Sequence, residues 1–272
     1  MFGGGDTVDY KSALPGTVFN LALDRSNGLI VRAMIGTTLN VVGILIGSIL
    51  GLFWVKQMSP RHQMMLKVWL GIFAVIVGLQ LVWKSLYGGA GSVLRQMVIM
   101  VIALTLGRLA GRALRIQRSL NRLGDFAKRR MADAQEKCAG KPNEGFVTCT
   151  VLFCFAPLAF VGPVIEGVGG YWQPLAIKAV MDGLGALAFV NMFGKGVLLS
   201  ALPVLAWQGT ISVLARWAAV FLSQHNLSDS VIGVGGLLVF CVSLVILELK
   251  KIELGDYLPS LIFAPLLTWL WH

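Results

Sequence analysis

Charge is scarce in this sequence, and that scarcity decides its class. Of 272 residues, 13% are charged and 56% are hydrophobic, whereas soluble domains carry roughly 25% charged residues. The mean hydropathy is +0.76. Too few polar side chains are present to cover the surface of a soluble globular protein. The composition therefore excludes a soluble domain and predicts an integral membrane protein.

The sequence also lacks the patterns of common metal, disulfide and catalytic sites. None of the three histidines lies in an apolar stretch, so no histidine-based metal or acid-base site is expected inside the membrane. No HExxH, GxSxG or P-loop pattern occurs, and no pair of carboxylates is placed for acid-base chemistry. The four cysteines show no CxxC pair and no zinc or disulfide spacing: Cys138, Cys149, Cys154 and Cys241. We therefore expect no enzymatic activity, no metal and no cofactor.

Apolar stretches long enough, or nearly so, to span about 30 Å of hydrocarbon recur along the chain. Residues 1–32 precede them and lack the features of a signal peptide, so we expect an extramembrane tail. Residues 33–272 are expected to form a single transmembrane domain. The eight stretches are 33–55, 65–84, 93–111, 146–165, 173–194, 196–222, 231–249 and 258–271. The predicted fold is an all-α, polytopic transmembrane helix bundle of about eight spans.

One long polar segment, residues 108–144, separates the third span from the fourth. Ten Lys and Arg residues against three Asp and Glu residues give its part from 108 to 141 a net charge of +7. Because positive charge beside span ends marks the cytoplasmic side, we predict that this loop is cytoplasmic in an inner-membrane protein. Both termini would then lie outside.

Five arginines within this region fall on one arc of a helical wheel. The third span is therefore predicted to continue as a basic amphipathic helix. Its arginines would contact lipid headgroups, an anionic solute or an acidic partner. No interleaved aromatic residues accompany them, so nucleic acid is not an expected partner. These arginines are Arg108, Arg112, Arg115, Arg118 and Arg122.

Two opposite charges interrupt the fifth apolar stretch. Lys178 and Asp182 are four residues apart and therefore share one face of a helix. Because an unpaired charge at the bilayer centre costs about 2.5–3.5 kcal/mol on insertion scales, we expect this face to be buried in protein. A substrate or ion site would explain the pair, and so would an internal ion pair that fixes helix packing. The sequence leaves both interpretations open.

Other polar residues inside the apolar stretches are further candidates for a substrate or ion site. Each is also explained by an ordinary interhelical hydrogen bond. Glu166 is expected at the outer surface and Lys195 at the cytoplasmic surface. The candidates are Asn40, Asn191, Ser200 and Gln208.

Two further patterns bear on architecture. The first three spans can be aligned with the last three at offsets of 160, 165 and 164 residues. This alignment suggests an inverted three-span repeat of the kind found in secondary transporters. Prolines in or beside the later spans, such as Pro157 and Pro163, predict broken helices. Glycines four residues apart predict close helix contacts and leave a homo-oligomer open: Gly43, Gly47 and Gly51, and Gly107 with Gly111.

Several motifs together resemble a known family. They are "LNVVGILIGSILGL" and "LGRLAGRALRI" in the first half, and "GFVTCTVLFCFAP", "KAVMDG", "GKGVLLSALPVLAWQG" and "LKKIELGDYLPSL" in the second. The resemblance is to the prokaryotic integral membrane proteins grouped as domain of unknown function 554, and it covers the chain from about residue 34 onward. Two features depart from that family: the 32-residue tail, and Phe155–Leu158 where a Gly-Pro-Met turn is common. The resemblance implies a multi-span membrane protein and no particular substrate.

These observations favour a transporter or channel for a small solute or ion, with its site among the fourth to sixth spans. The expected partners are the lipid bilayer and that solute or ion. The alternative is a scaffold or sensor that does not transport and that acts through the basic loop.

Overall fold

The computed structural model describes residues 34–53, 59–136 and 142–271, and every regular element in these ranges is a helix. The predicted all-α class is confirmed. The tail predicted over residues 1–32 and Cys138 lie outside the described residues. The helices are α1 (Ile35–Phe53), α2 (Pro60–Ser85), α3 (Ala90–Ala113), α4 (Ile116–Glu136), α5 (Pro142–Cys154), α6 (Leu158–Gly169), α7 (Gln173–Phe193), α8 (Gly196–Leu199), α9 (Ala201–Gln224), α10 (Ser228–Ile246), a 3-10 helix (Leu254–Tyr257) and α11 (Ser260–Leu270).

Six stretches of the described chain are helical, long and apolar enough to cross a membrane: α1, α2, α3, α7, α8 with α9, and α10. Helices α5 and α6 give a seventh span if they are counted as one, and they meet at a bend of 56°. The eighth predicted span corresponds to the shorter apolar segment Leu254–Leu270. The polytopic bundle is confirmed, with six or seven spans besides that segment.

The bend between α5 and α6 falls where the sequence places Pro157. A proline inside a helix removes one backbone hydrogen bond, and its ring clashes with the preceding turn. Residues 155–157 are accordingly not helical. The broken helix predicted from the prolines is confirmed at this position, but it is wrong for Pro163, which lies inside the continuous helix α6.

Helices α1 and α7 lie in backbone contact and run parallel to each other. A Cβ atom on any of the contacting glycines would collide with the backbone of α7. The contacts advance by four residues in both helices: Gly43 with Ala179, Gly47 with Gly183 and Gly51 with Leu187. These glycines are thus covered within the chain and offer no face to a second copy, so the homo-oligomer stays a prediction without support from them.

Two other helix pairs run antiparallel. In the pair of α2 with α10, Gly71 lies against Leu247 and Gly233 against Ser85. In the pair of α3 with the C-terminal helices, Gly107 lies against Ser260 and Gly111 against Asp256. The proposed inverted repeat makes each of these pairs a pair of corresponding spans, and such a repeat requires corresponding spans to have opposite orientation. The repeat itself stays a prediction.

The basic amphipathic helix forms, although not as a continuation of the third span. The chain leaves the helical conformation between α3 and α4, where Arg115 has a left-handed φ of 55°, so the prediction of one continuous helix is wrong. Asp256 Oδ1 accepts a 2.9 Å hydrogen bond from the backbone N–H of Gln117 and caps the start of α4. We call the end of the bundle that carries α4 the basic end.

The opposite end of the bundle carries the connection between α2 and α3 and the start of α10. There the hydroxyl of Tyr87 donates a 2.8 Å hydrogen bond to Asp229 Oδ2. This hydrogen bond and the carboxylate charge raise the pKa of Tyr87. Lys84 Nζ lies 4.6 Å from the ring centre of Tyr171 at the same end.

The outer surface of the bundle is strongly apolar. Large hydrophobic side chains project from it along several helices, as a bilayer's hydrocarbon core allows and water does not. Examples are Trp69, Ile76, Val101, Trp217, Phe221 and Ile262.

Candidate functional site

Lys178 and Asp182 lie buried in the middle of the bundle. Their exposed fractions are 2% and 8%, and Lys178 Nζ donates a hydrogen bond to Asp182 Oδ2 one turn further along α7. At 1.5 Å per residue, Asp182 lies about 14 Å from the start of α7, or roughly halfway through a 30 Å hydrocarbon layer. The predicted burial of this face is confirmed.

Two amide side chains extend this ion pair into a polar layer. Asn40 on α1 uses both N–H groups of its amide: one donates to Asp182 Oδ2 at 3.2 Å and the other to Gln208 Oε1 at 3.1 Å. Asn40 and Gln208 are wholly buried. The structure thus brings together four of the predicted site residues, from helices α1, α7 and α9. We call Lys178, Asp182, Asn40 and Gln208 the central polar layer.

The central polar layer is not fully satisfied. Asn40 Oδ1 and Gln208 Nε2 are buried and have no hydrogen-bond partner among the described residues. Leaving a buried donor or acceptor unpaired costs about 1–3 kcal/mol, and such groups are rare in structural cores. Two of them in adjacent side chains leave the layer with one spare acceptor and one spare donor.

A second polar layer surrounds Glu166 on α6, which is wholly buried. Glu166 Oε1 accepts a hydrogen bond from the backbone N–H of Gly36. Its Oε2 lies 3.0 Å from Thr37 Oγ1 and 3.1 Å from Ser212 Oγ. The carboxylate thereby caps the first turn of α1, where unpaired N–H groups and the helix dipole favour negative charge.

The expectation that Glu166 lies at the outer surface is therefore wrong. The fourth span was predicted to end at residue 165, whereas α6 continues to Gly169, so the carboxylate stays inside the bundle. Sequence reasoning also missed Thr37 and Ser212. Their spacing was a usable signal, because Thr37 lies three residues before Asn40 and Ser212 four residues after Gln208, each on the same helix face.

A cavity of about 430 Å³ leads from the basic end to the ion pair. We call it the central cavity. Lys178 and Asp182 form part of its wall, and Lys67, Gln117 and Glu248 line it as well. The break between α5 and α6 contributes Ala156, Pro157 and Leu158, and the remaining wall is apolar: Met181, Val242, Val245, Ile246, Ile252 and Leu254.

An exposed ion pair lies among the residues that line the central cavity. Lys67 Nζ on α2 is 3.0 Å from Glu248 Oε1, just beyond α10, and the two side chains are 58% and 73% exposed. Exposed pairs of this kind contribute about 0–1 kcal/mol to stability. The Lys67–Glu248 ion pair is therefore weak enough to break and re-form readily.

The structure places two predicted site residues elsewhere. Asn191 is exposed and donates a 3.3 Å hydrogen bond to the carbonyl of Leu187 in its own helix. Ser200 is buried, but its hydroxyl donates to the carbonyl of Val197 at 2.6 Å, within the turn between α8 and α9. Neither residue hydrogen-bonds to the central polar layer, and neither lines the central cavity.

The five predicted arginines are all exposed near the basic end. Three of them, Arg112, Arg115 and Arg118, line a surface cavity of about 410 Å³ together with Gln117, Asn121 and two carboxylates, Glu253 and Asp256. Arg112 lies 3.8 Å from Glu253, a partly exposed carboxylate. The arrangement suits an anionic group at the surface.

Comparison with known proteins places the chain in a family. The sequence profile of the family described as Protein of unknown function (DUF554) matches residues 35–269. The chain belongs to this family. The DUF554 region begins at the first residue of α1 and ends within α11, so it contains both polar layers and the central cavity.

Two relatives match this chain over nearly their whole length. The chain is 28% identical over 240 residues to the uncharacterized membrane protein YdfK of Bacillus subtilis, covering 88% of this chain and 97% of YdfK. It is 26% identical over 242 residues to the uncharacterized protein YqgA of Escherichia coli, with the same shares covered. No solved structure matches the chain. Together with the apolar helices, the similarity to YdfK supports a multi-pass membrane protein.

Proposed function

We propose that this protein is a transporter or channel for a small solute or ion, and that the central cavity is its binding site. One observation carries the proposal: a cavity joins an end of the bundle to a buried ion pair at mid-depth. We further propose that the basic end faces the cytoplasm of an inner-membrane protein, since positive charge flanks spans on that side.

The energetics of the ion pair support a functional role. Burying two charges costs several kcal/mol per ion, and a well-packed apolar pair is often as stable or more stable. Ionisable residues inside membrane bundles commonly line substrate or ion pathways. The broken helix in the cavity wall adds support, since non-helical backbone at membrane depth is tolerated only where it is buried in protein or lines a water-filled cavity.

Thiol labelling tests whether the central cavity holds water. In a variant lacking the four native cysteines, Met181→Cys should react with a charged, membrane-impermeant thiol reagent applied from the basic end. Val180→Cys is the matched control: Val180 is 44% exposed but is not part of the cavity wall, and it should stay unlabelled in lipid. If Met181→Cys is unreactive from both sides, the cavity is dry and the proposal fails.

Solute uptake into proteoliposomes tests transport directly. The double variant Lys178→Met/Asp182→Asn removes both charges, so it leaves no unpaired ion in the core and is expected to fold. Uptake of the transported solute should be lost in this variant at equal protein content. Uptake that continues at the wild-type rate would show that the ion pair has only a structural role.

A second candidate function is a scaffold or sensor that binds an anionic partner at the basic end. The three arginines that line the surface cavity favour it. Neutralising Arg115 and Arg118 together should then abolish capture of an acidic partner while solute uptake continues. Under the transport proposal alone, no such partner is captured by the wild-type protein.

A further inference from the structure

We infer that the solute bound by the central polar layer is a small zwitterion, with one carboxylate and one ammonium group, that binds by opening the Lys178–Asp182 ion pair. This inference depends on the proposed transport function and names its substrate class. Four side chains carry it: Lys178, Asp182, Asn40 and Gln208.

The ion pair keeps bonding capacity on both partners. An ammonium group has three N–H donors, and Lys178 uses one of them on Asp182. Asp182 accepts its hydrogen bonds from Lys178 and Asn40 on the same oxygen, Oδ2. Its Oδ1 accepts none from the described residues. A cation donor and a carboxylate acceptor are therefore both available at the wall of the cavity.

The adjacent amides offer the same combination of donor and acceptor. Asn40 Oδ1 is an unused acceptor and Gln208 Nε2 an unused donor among the described residues. Asn40 is hydrogen-bonded to Asp182, and Gln208 to Asn40. Both amides are wholly buried behind the ion pair and do not line the central cavity, so a solute reaches their spare atoms only when the pair opens. An ammonium group matches Asp182 Oδ1 and Asn40 Oδ1, and a carboxylate matches Lys178 Nζ and Gln208 Nε2.

Charge balance selects a zwitterion over a simple anion or cation. A carboxylate alone would take Lys178 away from Asp182 and leave a buried negative charge without its partner. An amine alone would leave Lys178 unpaired, with the same kind of penalty. A zwitterion replaces one internal ion pair by two ion pairs with the ligand, so the site and its ligand stay neutral together.

The shape of the cavity limits the size of the solute. Its volume is about 430 Å³, which is at the lower end of the range for small-molecule pockets, about 300–1,000 Å³. Apolar side chains also line it, including Met181, Val242 and Ile246. They would contact a short aliphatic portion of the solute.

Uptake of matched compounds into proteoliposomes tests this inference. Alanine carries both groups, propionate lacks the ammonium group and ethylamine lacks the carboxylate. Glycine, serine and proline are further zwitterions. Glucose, sodium and phosphate represent other classes of solute. After subtraction of uptake into empty vesicles, at least one zwitterion should enter at least tenfold faster than propionate and ethylamine. If propionate, ethylamine or another class enters and no zwitterion does, the inference is overturned while transport stands. If no compound enters faster than into empty vesicles, the proposed function fails as well.

A conservative variant separates binding from folding. Gln208→Met removes the spare donor without placing a charge in the core, although it also removes the acceptor of the Asn40 hydrogen bond. It should raise the half-saturation concentration for the zwitterion about tenfold while changing the maximal rate less, in protein whose unfolding midpoint shows that it is folded at the assay temperature. Thr210→Val is the control, because Thr210 is exposed and its hydroxyl donates only to the carbonyl of Ala206 in its own helix. Equal half-saturation concentrations for wild type and Gln208→Met would contradict the role assigned to Gln208.

Discussion

Asn40 Nδ2 lies 3.1 Å from Gln208 Oε1, a hydrogen bond between residues 168 positions apart in the sequence. The second N–H of the same amide donates to Asp182, so one side chain of α1 links α7 and α9. Hydrogen bonds of this kind are electrostatically stronger in a low-dielectric interior than in water. A single amide therefore adds buried hydrogen bonds to the packing of three helices.

Asn40→Leu should destabilise the protein more than Gln208→Leu. The first change takes a donor from Asp182 and leaves the whole amide of Gln208 unpaired, at about 1–3 kcal/mol for each buried group. The second leaves one N–H of Asn40 unpaired, but it keeps the hydrogen bond to Asp182 and removes an amide that was already half unpaired. Thermal unfolding midpoints in detergent measure the difference, and the reverse order would contradict this account.

Glu166→Gln should lower the unfolding midpoint markedly. Hydrogen bonds to a charged group contribute about 1.5–3 kcal/mol, and the new amide N–H₂ would face the backbone donors at the start of α1. Thr38→Val is the control, because Thr38 is exposed and donates to the carbonyl of Met34, one turn back in the chain. Similar midpoints for the two variants would show that the Glu166 cap contributes little.

Gly47→Ala should be poorly tolerated, because the new methyl group would collide with the backbone of Gly183. Overpacking of this kind costs about 1–3 kcal/mol. Gly91→Ala is the matched change: Gly91 lies in α3, and a Cβ there meets nothing within 4 Å. The yield of folded protein and the thermal unfolding midpoint should fall for Gly47→Ala. For Gly91→Ala, both should be unchanged or higher. Equal behaviour would mean that α1 and α7 separate easily.

Lys67→Met should change access to the central cavity without unfolding the protein. The ion pair with Glu248 is exposed, so its loss should alter stability by no more than about 1 kcal/mol. In the cysteine-free background, labelling of Met181→Cys should become faster when Lys67 is replaced. An unchanged labelling rate would show that the pair does not limit entry.

The sequence was sufficient to predict the helical class, the approximate spans and the buried charged face. Lys178, Asp182, Asn40 and Gln208 were identified because polar residues within apolar stretches need partners. Which helices supply those partners was not predictable, since local periodicity fixes the face that a residue lies on but not the neighbour it meets. Asn191 and Ser200 illustrate this limit, because the side chain of each donates its hydrogen bond to a backbone carbonyl in its own helix or turn.

Glu166 illustrates a second limit. The predicted end of the fourth span lies four residues before the observed end of α6. This small error was enough to assign Glu166 to the surface, although the apolar stretch around it was correctly predicted to be a span. The helix continues past the expected boundary and ends only at Gly170, whose φ of 72° closes it in the left-handed conformation.

The backbone contact between α1 and α7 has a mechanical consequence. Two helices packed through long side chains can slide past each other as the rotamers change. Helices whose backbones touch at three glycines, four residues apart, cannot shift in this way. Asn40 and Asp182 therefore belong to one rigid unit. Any motion that opens the cavity to the other side of the membrane must come from elements packed around this unit, among them the non-helical turn at Pro157 in the cavity wall.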